Sequence, residues 1–282
     1  MNPIKKQSKF KLISKFDLII LAIACILLLD SNLRLTVTDY TVSSDRLPEA
    51  FDGYKIVQLS DLHTMEFGKN NQRLVNKVAD LEPDIIALTG DYIEDAGDLS
   101  VVRELVRQLS EIAPVYYTSG NHDWASKCIG DLRNAVDLNG GKYLSNEHLL
   151  LERDGASIVL AGVEDPNSNA DMPRADAVIQ KLNEAYPDSY IILLAHRNDF
   201  ITRYPNLECD LIFTGHGHGG VVRLPFVGGL VGTDLKLSPT YDAGVFHRGR
   251  YDMVVSRGLG GAPYYPRLLN NPEIVCVTLA AE

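Results

Sequence analysis

The sequence predicts an α/β fold in which a single domain forms most of the chain. Strand-like apolar runs alternate with amphipathic helical runs through the first half, an order typical of parallel βαβ units. The second half is richer in strand-like runs. At 282 residues the chain suits one large domain or two small ones, and a hydrophobic content of 45% is ordinary for a globular protein. We therefore expect one α/β domain over about residues 53–282.

The first strand and helix are predicted at residues 55–60 and 70–81. Residues 55–60 (KIVQLS) form a short, mostly apolar run of strand length. The helix follows from the four-residue spacing of Leu74 and Val78, which places both on one face. It is expected to end before Pro83, because a proline disfavours helical backbone in the residue that precedes it.

Two further strand–helix pairs are predicted at a similar interval. DIIALTG at residues 84–90 precedes a helix at 99–112, for which Asp98 stands at the N-cap position. VYYTSG at residues 115–120 precedes a helix at 126–138. This repetition predicts parallel strands connected by helices.

The remaining elements are predicted from apolar runs bounded by turn residues. They are a helix at 175–185 and strands at 157–161, 190–195, 211–214, 253–255 and 274–279. Residues 36–52 are polar, with Asp45 and Pro48, and are interpreted as a linker or as an edge strand that enters the domain.

A basic amino terminus before an apolar run predicts a membrane anchor within residues 1–35. Five lysines precede Asp17, and residues 18–29 (LIILAIACILLL) carry no charge. A bilayer span needs about 20 residues, so the span is expected to lie within about residues 12–35. Because lysines favour the cytoplasmic side, we expect a single-pass protein of the cell membrane with its body outside the cytoplasm. The alternative is a helix that lies in the membrane interface or packs against the protein.

Charge and cysteine content disfavour some classes of function. The net charge is −10, so a nucleic-acid partner is not expected, since binding to the phosphate backbone needs clusters of Lys and Arg. The four cysteines are far apart in the sequence and form no CxxC pair, so they are expected to be free thiols rather than a metal or redox site.

Polar residues with metal-binding chemistry follow five of the predicted strands. They are Asp61-Leu62-His63, Gly90-Asp91, Gly120-Asn121-His122-Asp123, His196 and Gly215-His216-Gly217-His218. Because ligands bind at the carboxyl ends of strands in open α/β sheets, we expect these segments to converge. Five of the seven histidines lie here, more than isolated buried polar groups would explain. Their O and N donors predict a site for Mn²⁺, Fe or Zn²⁺.

In this order, the five segments resemble the calcineurin-like metallophosphoesterases over about residues 53–282. The apolar amino-terminal segment, LSDLH, AHR, GHGHGG and the closing SRGLG and NPEIV are similar to the YkuE/YaeI-like branch of membrane-associated phosphodiesterases. Two positions depart from that branch: Asn198, where proline is frequent, and Gly217, where threonine is frequent. The resemblance implies a four-layer αββα sandwich.

The resemblance also implies a centre of two divalent metal ions. Its transfer residue by residue assigns Asp61, His63 and His218 to one metal, Asn121, His196 and His216 to the other, and Asp91 to a bridging position. A hydroxide shared by the metals is expected to attack phosphorus, while His122 stabilises the transition state and protonates the leaving oxygen. Asp123 is expected either to orient His122 or to cap the helix predicted at 126–138.

Four further features carry predictions of their own. Arg197 and Arg257 are predicted either to bind a substrate phosphate or to form structural ion pairs. Asp165 is predicted to be a turn residue rather than a ligand. The apolar and aromatic stripe at residues 262–266 is either a lipid contact or a packed loop.

The leading functional hypothesis is a two-metal phosphodiesterase or pyrophosphatase that hydrolyses a lipid-linked or cell-envelope phosphate. The branch is related to membrane-associated enzymes that cleave UDP-2,3-diacylglucosamine, so a substrate of that type is one form of the hypothesis. A phosphomonoesterase or protein phosphatase at the same site is the first alternative. A non-enzymatic scaffold that keeps its metals is the second, and it is disfavoured because every ligand position and His122 are present.

Overall fold

Two six-stranded sheets form the centre of the computed structural model, which describes residues 14–94, 98–168, 172–232, 235–261 and 266–282. From edge to edge, the first sheet contains β1 (Thr36–Ser44), β14 (Glu273–Ala281), β2 (Lys55–Leu59), β3 (Ile85–Thr89), β4 (Val115–Thr118) and β5 (Gly141–Tyr143). Its neighbouring strands are parallel except for β14 and β2, which are antiparallel. The strands at β2, β3 and β4 are the parallel βαβ series that the sequence predicts.

The second sheet has a parallel centre and two antiparallel edges. From edge to edge, it contains β12 (Gly244–Arg248), β13 (Tyr251–Val255), β9 (Leu211–Gly215), β8 (Ile191–Arg197), β7 (Ala156–Gly162) and β6 (Glu147–Arg153). Strand β12 pairs antiparallel with β13, and β6 pairs antiparallel with β7. A separate antiparallel hairpin of β10 (Val222–Leu224) and β11 (Gly228–Val231) follows β9.

Seven α-helices lie among the described residues, and five of them cover the outer faces of the two sheets. Their bounds are α1 (Lys15–Leu33), α2 (Gln72–Ala79), α3 (Ser100–Ser110), α4 (Asn121–Ala125), α5 (Ile129–Asp137), α6 (Ala175–Ala185) and α7 (Phe200–Arg203). Apolar residues of α2, α3 and α5 pack on the first sheet, and those of α6 and α7 pack on the second. Leu74 and Val78 of α2 are both fully buried, as their spacing predicts.

A third apolar layer lies between the two sheets and completes the four-layer αββα sandwich. Ile56 and Val275 from the first sheet share this layer with Ile192 and Phe213 from the second, and all four are fully buried. Successive strand residues face opposite sides of a sheet, so each sheet has one face on this layer and one on its helices. Such burial on both faces explains why strands of both sheets read as continuous apolar runs. The predicted fold class is therefore confirmed.

The predicted elements differ from the structure at three places. The domain begins earlier than residue 53, because residues 36–44 form the edge strand that is one of the two predicted alternatives and pair with β14 along their whole length. The helix predicted at 126–138 begins only at Ile129, as α5, and the short helix α4 precedes it, because the chain breaks at Lys127, whose φ is +61°. Short strands such as β5 and β10 are absent from the sequence prediction, since three residues give too little alternation to recognise.

Helix α1 projects from the domain with little packing. Its 19 residues are long and apolar enough to cross a membrane, and only 6% of its most apolar window is buried. At about 1.5 Å per residue it approaches the roughly 30 Å thickness of a bilayer core. Residues 1–13, which carry four of the five amino-terminal lysines, lie outside the described residues. A helix packed against the protein along its length is therefore not what the structure has.

We expect the layer between the sheets to dominate the stability of the domain. Leu160 of β7 is fully buried in that layer, whereas Leu138 after α5 is 83% exposed. Leu160→Ala should lower the free energy of unfolding by about 2–5 kcal/mol, because it removes buried methyl groups and leaves a cavity. The matched Leu138→Ala change should stay within about 0.5 kcal/mol. Urea unfolding of the full chain in detergent measures both, and equal losses would contradict the layer assignment.

Candidate active site

The carboxyl ends of strands from both sheets meet at one edge of the sandwich. Asp61 and His63 follow β2, Asp91 follows β3, and Asn121 begins α4 after β4. From the second sheet, His196 lies near the end of β8, and His216 and His218 follow β9. The structure thus places all seven predicted ligands at this edge, on loops, at strand ends or, for Asn121, at the start of a helix.

Six of these residues form two compact groups of potential metal ligands. One group is Asp61, His63 and His218, and the other is Asp91, His196 and His216. Within each group the ligand atoms all lie within 4.8 Å of one another. The groups are adjacent, because Oδ1 of Asp61 lies 3.5 Å from Nε2 of His218 and 4.0 Å from Nε2 of His196.

The backbone at this edge adopts uncommon conformations. Left-handed φ values occur at five of the predicted ligands, namely Asp61 (+52°), His63 (+49°), Asp91 (+58°), His216 (+67°) and His218 (+50°). Non-glycine residues adopt this region rarely, and it concentrates at functional sites where surrounding contacts hold it in place. The conformation turns each chain sharply at its strand end, so that the polar side chains point toward one another.

Two glycines allow the strand ends to approach closely. A Cβ atom at Gly120 would lie 2.6 Å from the backbone N of Asp91, and one at Gly215 would lie 2.9 Å from Cβ of Ser60. Both distances are shorter than non-bonded carbon contacts allow, so any larger residue would separate the loops. The glycines in the GNHD and GHGH segments therefore serve the convergence of the site.

The imidazoles are oriented with Nε2 toward the centre. Nδ1 of His196 lies 2.7 Å from the carbonyl of Thr89, and Nδ1 of His218 lies 3.3 Å from the carbonyl of Gly260. Because a carbonyl only accepts, each Nδ1 carries a hydrogen, and Nε2 is the nitrogen that can bind a metal. Nδ1 of His63 contacts the carboxylate of Glu94 in the same way. This arrangement is the one that metal-binding histidines have in proteins.

Three observations test whether the donor set fits divalent cations. Nε2 of His63 and Nε2 of His218 face each other at 3.2 Å, which brings two lone pairs together. Nε2 of His196 lies 3.0 Å from Oδ2 of Asp91. Oδ1 of Asn121 is buried and has no hydrogen-bond partner among the described residues. Imidazole nitrogens, carboxylates and one unpaired amide oxygen fit Mn²⁺, Fe or Zn²⁺.

Burial and neighbouring charges shift the pKa values of these groups strongly. Burial lowers the pKa of His216 to about 3 and, together with His63 and Arg267, lowers that of His218 well below its usual value. Both imidazoles are therefore neutral, which is the form that binds metals. Burial alone would lower the pKa of His196, but Asp91 raises it to about 10. A cation bound at this pair competes with that proton.

His122 has a partner that the sequence interpretation missed. Its ring is partly exposed at the edge of the site, and its Nδ1 lies 3.1 Å from Oε2 of Glu94. The same Glu94 contacts His63, so this carboxylate links the two rings. Hydrogen bonds from His122 and His63 outweigh burial and hold the pKa of Glu94 at about 2, so it is ionised. The only signal in the sequence is an acidic residue three positions after Asp91.

Asp123 does not orient His122. Its carboxylate accepts hydrogen bonds from the backbone amides of Gly120 (2.8 Å), Asp91 (2.9 Å) and Tyr92 (3.0 Å), and from the hydroxyl of Tyr117 (2.7 Å). It therefore caps α4, rather than the helix predicted at 126–138, and holds the Asp91 loop. A carboxylate buried against four donors has no lone pair left for an imidazole, so Asp123 cannot also hold the ring of His122. Burial raises its pKa to about 6.

The two predicted phosphate-binding arginines form ion pairs inside the protein. Arg197 makes a bidentate pair with the buried Asp165, with Nε to Oδ2 at 2.7 Å and Nη2 to Oδ1 at 3.1 Å. Arg257 pairs with Glu273 at 2.9 Å. The structure thus has the ion pairs of the structural alternative at both positions, and contact with a substrate phosphate stays a prediction. Asp165 also accepts from the backbone of Asn167, so its predicted turn role is only part of its function.

A buried arginine and an asparagine contact His218 on the side of residues 266–271. Arg267 is 2% exposed, donates to the carbonyls of Gly260 (3.0 Å) and Arg257 (2.7 Å), and lies 3.5 Å from Nδ1 of His218. Burial lowers its pKa to about 10, so it remains a cation. Asn270 donates to the carbonyl of His218 at 2.7 Å. Neither residue belongs to a motif that the sequence shows, because both lie in a segment of the chain distant from His218.

An open cleft of about 570 Å³ adjoins the site at His216. Asn198 and Gly217, the two positions that depart from the branch pattern, line it together with Leu237 and Tyr241. Asn198 and Gly217 are in close contact, and the asparagine leaves no room for a side chain at position 217. A Cβ atom at Gly217 would lie 2.6 Å from Nδ2 of Asn198. That nitrogen donates to the carbonyl of Tyr241 at 2.9 Å.

Gly217 and Asn198 are expected to be energetically coupled. Gly217→Ala should destabilise the protein by about 1 kcal/mol, because Asn198 must move and lose its hydrogen bond. In the Asn198→Ala background the same change should cost little. A double-mutant cycle of urea unfolding measures the coupling, which should reach about 0.5–3 kcal/mol for contacting residues. Additive effects would show that the two positions do not touch.

The residues and fold described above define a class of enzyme. The family model for calcineurin-like phosphoesterase matches residues 54–220, more than half of the chain. The chain belongs to the calcineurin-like phosphoesterase family and is a metal-dependent phosphoester hydrolase. The loops that carry the predicted ligands from β2 to β9 all lie inside the matched residues.

Particular relatives refine this class. The chain is 28% identical to the uncharacterized metallophosphoesterase YkuE of Bacillus subtilis, over 86% of this chain and 84% of that protein. It is 27% identical to phosphodiesterase YaeI of Escherichia coli, over 80% of this chain and 82% of the relative. A transmembrane protein with metallophosphoesterase domain from Danio rerio is 28% identical over 65% of this chain, which spans 44% of that longer protein. These relatives support the predicted branch.

Proposed function

We propose that the site holds two divalent metal ions and hydrolyses phosphodiesters or pyrophosphates. One ion would be held by Asp61, His63 and His218, the other by Asn121, His196 and His216, with Asp91 between them. The observation that carries the proposal is the convergence of two adjacent ligand groups at one edge of the sandwich. When bound, the ions would supply Lewis-acid activation of the phosphate oxygens and of the attacking water.

The protein's own residues account for orientation and proton transfer. Glu94 accepts from Nδ1 of His122, which leaves Nε2 of that ring for the substrate. We assign His122 to stabilising the transition state and protonating the leaving oxygen, and Glu94 to positioning the ring. Asp123 acts further away, because it fixes the backbone of Asp91 and Gly120.

A lipid-linked or cell-envelope phosphate is the proposed substrate class. Diester hydrolysis is supported by the similarity to a relative named phosphodiesterase. The membrane location is supported by the unpacked apolar helix α1 and by the relative named a transmembrane protein. The lysines before α1 favour an amino terminus in the cytoplasm and a catalytic domain outside it. A UDP-2,3-diacylglucosamine-like compound belongs to this class.

Metal dependence is the first test of the proposal. Metal-stripped protein should not hydrolyse bis-p-nitrophenyl phosphate, and adding Mn²⁺, Fe²⁺ or Zn²⁺ should restore activity. Asp91→Asn should lower the restored activity by about 100-fold or more, because it changes a proposed metal ligand. Loss of a group that only hydrogen-bonds to a metal ligand already costs about 10–100-fold in metal affinity or activity. His148→Ala, an exposed histidine outside the site, is the control and should match the parent.

Metal content measured on the same samples separates the possible outcomes. Full activity in Asp91→Asn with unchanged metal content would rule out the proposed centre. A parent that binds two ions but prefers p-nitrophenyl phosphate to the diester would favour the phosphomonoesterase alternative.

The second test separates His122 from the metal ligands. His122→Ala should keep both ions and lower kcat for the diester by about 100-fold or more, because general acid catalysis contributes about 10²–10⁴-fold. Glu94→Gln keeps the size of the side chain and should give a smaller loss. Metal analysis and steady-state kinetics in detergent measure both. Loss of metal in His122→Ala would assign that histidine to the ligand set instead.

A further inference from the structure

The last turn of α1 is bonded to the segment at residues 266–271. The Ser31 hydroxyl accepts from the backbone of Leu269 at 2.8 Å. Asn32 accepts from the backbone N of Arg267 at 3.1 Å and donates to its carbonyl at 2.9 Å. Asn271 donates to the carbonyl of Asp30 at 2.7 Å. Helix α1 therefore leaves the domain at a defined place instead of through a flexible linker.

The bonds between the last turn of α1 and residues 266–271 determine where the bilayer surface lies relative to the domain when α1 spans a membrane. The apolar residues before the last turn, from Leu18 to Ile26, are about half or more exposed where the side chain is large. The carboxyl-terminal end of the helix is polar instead. It carries the ion pair between Asp30 and Arg34 and the bonds to residues 266–271. Charged and hydrogen-bonded groups belong at the bilayer interface, so residues 266–271 lie at that level when α1 spans.

The hairpin of β10 and β11 is the next strand pair beside this segment. Val222 bridges Leu268, and the backbone N of Arg223 donates to the Leu268 carbonyl at 3.1 Å. The bridge is parallel, so β10 runs in the same direction as the chain from Arg267 to Asn271. The turn that joins β10 to β11 lies at the far end of β10 in that direction. Along that direction the contacts on α1 move from Asn32 back to Asp30, toward the apolar part of the helix.

The tip of this hairpin is apolar and exposed. It consists of Leu224, Pro225, Phe226 and Val227, and Phe226 is fully exposed while Val227 is 67% exposed. Hairpin tips normally carry Gly, Asn or Asp. Phe226 even adopts a φ of +68°, which disfavours a bulky residue. Folding of the turn therefore gives no reason for phenylalanine here, and a contact outside the domain does.

The tip is continuous with the attachment point of α1. Leu269, which is 37% exposed and bonded to Ser31, lines one surface depression together with Leu224, Phe226 and Val227. The apolar surface thus extends from the helix to the hairpin. A bilayer that α1 spans would bring its hydrocarbon region next to this apolar surface. We therefore take the bilayer as the partner of the surface.

We propose that the hairpin tip at Leu224–Val227, with Leu269, is a second membrane contact that inserts into the interfacial region beside α1. The proposal rests on the membrane anchoring of α1 under the proposed function. It would hold the domain at one tilt relative to the bilayer, because two separate contacts limit how far the domain can lean about either of them. Asn270 bonds the same segment to His218 and Gly220, so the orientation extends to the site. Phosphate esters at the bilayer surface would then be presented to the site.

Site-directed fluorescence in vesicles tests this contact. The full chain, with Cys25 and Cys128 changed to Ser, is reconstituted in phosphatidylethanolamine and phosphatidylglycerol vesicles at 3:1. Phe226→Cys and Val227→Cys are each labelled with an NBD fluorophore, so the result does not depend on one variant folding. Leu138→Cys is the matched control, since Leu138 is exposed and lies by α5 near the opposite edge of the first sheet. Ile23→Cys reports on the anchor itself.

The expected result is a blue-shifted emission and quenching by doxyl-labelled lipid at positions 226, 227 and 23, with quenching by aqueous iodide at position 138. Lipid quenching at position 23 with iodide quenching at 226 and 227 equal to that at 138 would overturn the hairpin contact alone. Iodide quenching at position 23 as well would overturn the anchor and the hairpin contact together. Diester hydrolysis, measured separately in detergent, tests the catalytic part of the proposed function independently of either result.

Discussion

The burial of carboxylates at the junction of two sheets is the constraint on which this site depends. Asp61, Asp91 and Asp123 are all about 1% exposed or less. Isolated buried charges are costly, and they persist only where donors or cations compensate them. Asp123 is compensated by three backbone amides and a tyrosine hydroxyl, and Asp91 by His196 and the backbone N of His122. The loops of the site are therefore arranged around charge compensation as well as around apolar packing.

That compensation requires the two sheets to bring their strand ends unusually close. The layer of apolar side chains between the sheets sets their separation, and the left-handed residues after β2, β3 and β9 turn the chain inward at the common edge. Glycines at positions 120 and 215 remove the side chains that would hold the loops apart. Strain in these turns is offset by the stability of the layers behind them, as is common for functional sites.

The same tertiary contacts connect the anchor, the hairpin and the catalytic edge. Residues 266–271 bond to the last turn of α1 on one side, to β10 on another, and to the His218 backbone through Asn270. The buried Arg267 adds a cation beside His218 without a carboxylate partner among the described residues. A single segment thus determines both where the helix leaves the domain and how one of the ligand loops is supported.

The sequence by itself determined the fold class, the parallel series at β2, β3 and β4, the bounds of α6 and the set of ligand-type residues after strands. These properties depend on neighbours along the chain, which a periodic pattern reports directly. Only the tertiary structure decided the insertion of β14 between β1 and β2, the pairing of Glu94 with His122, and the ion pairs of Arg197 and Arg257. The partners in these contacts are distant in the sequence. Strands β1 and β14 come from opposite ends of the domain, and Glu94 and His122 lie on different loops. Their meeting depends on how the layers pack, and no local pattern in the sequence carries that information.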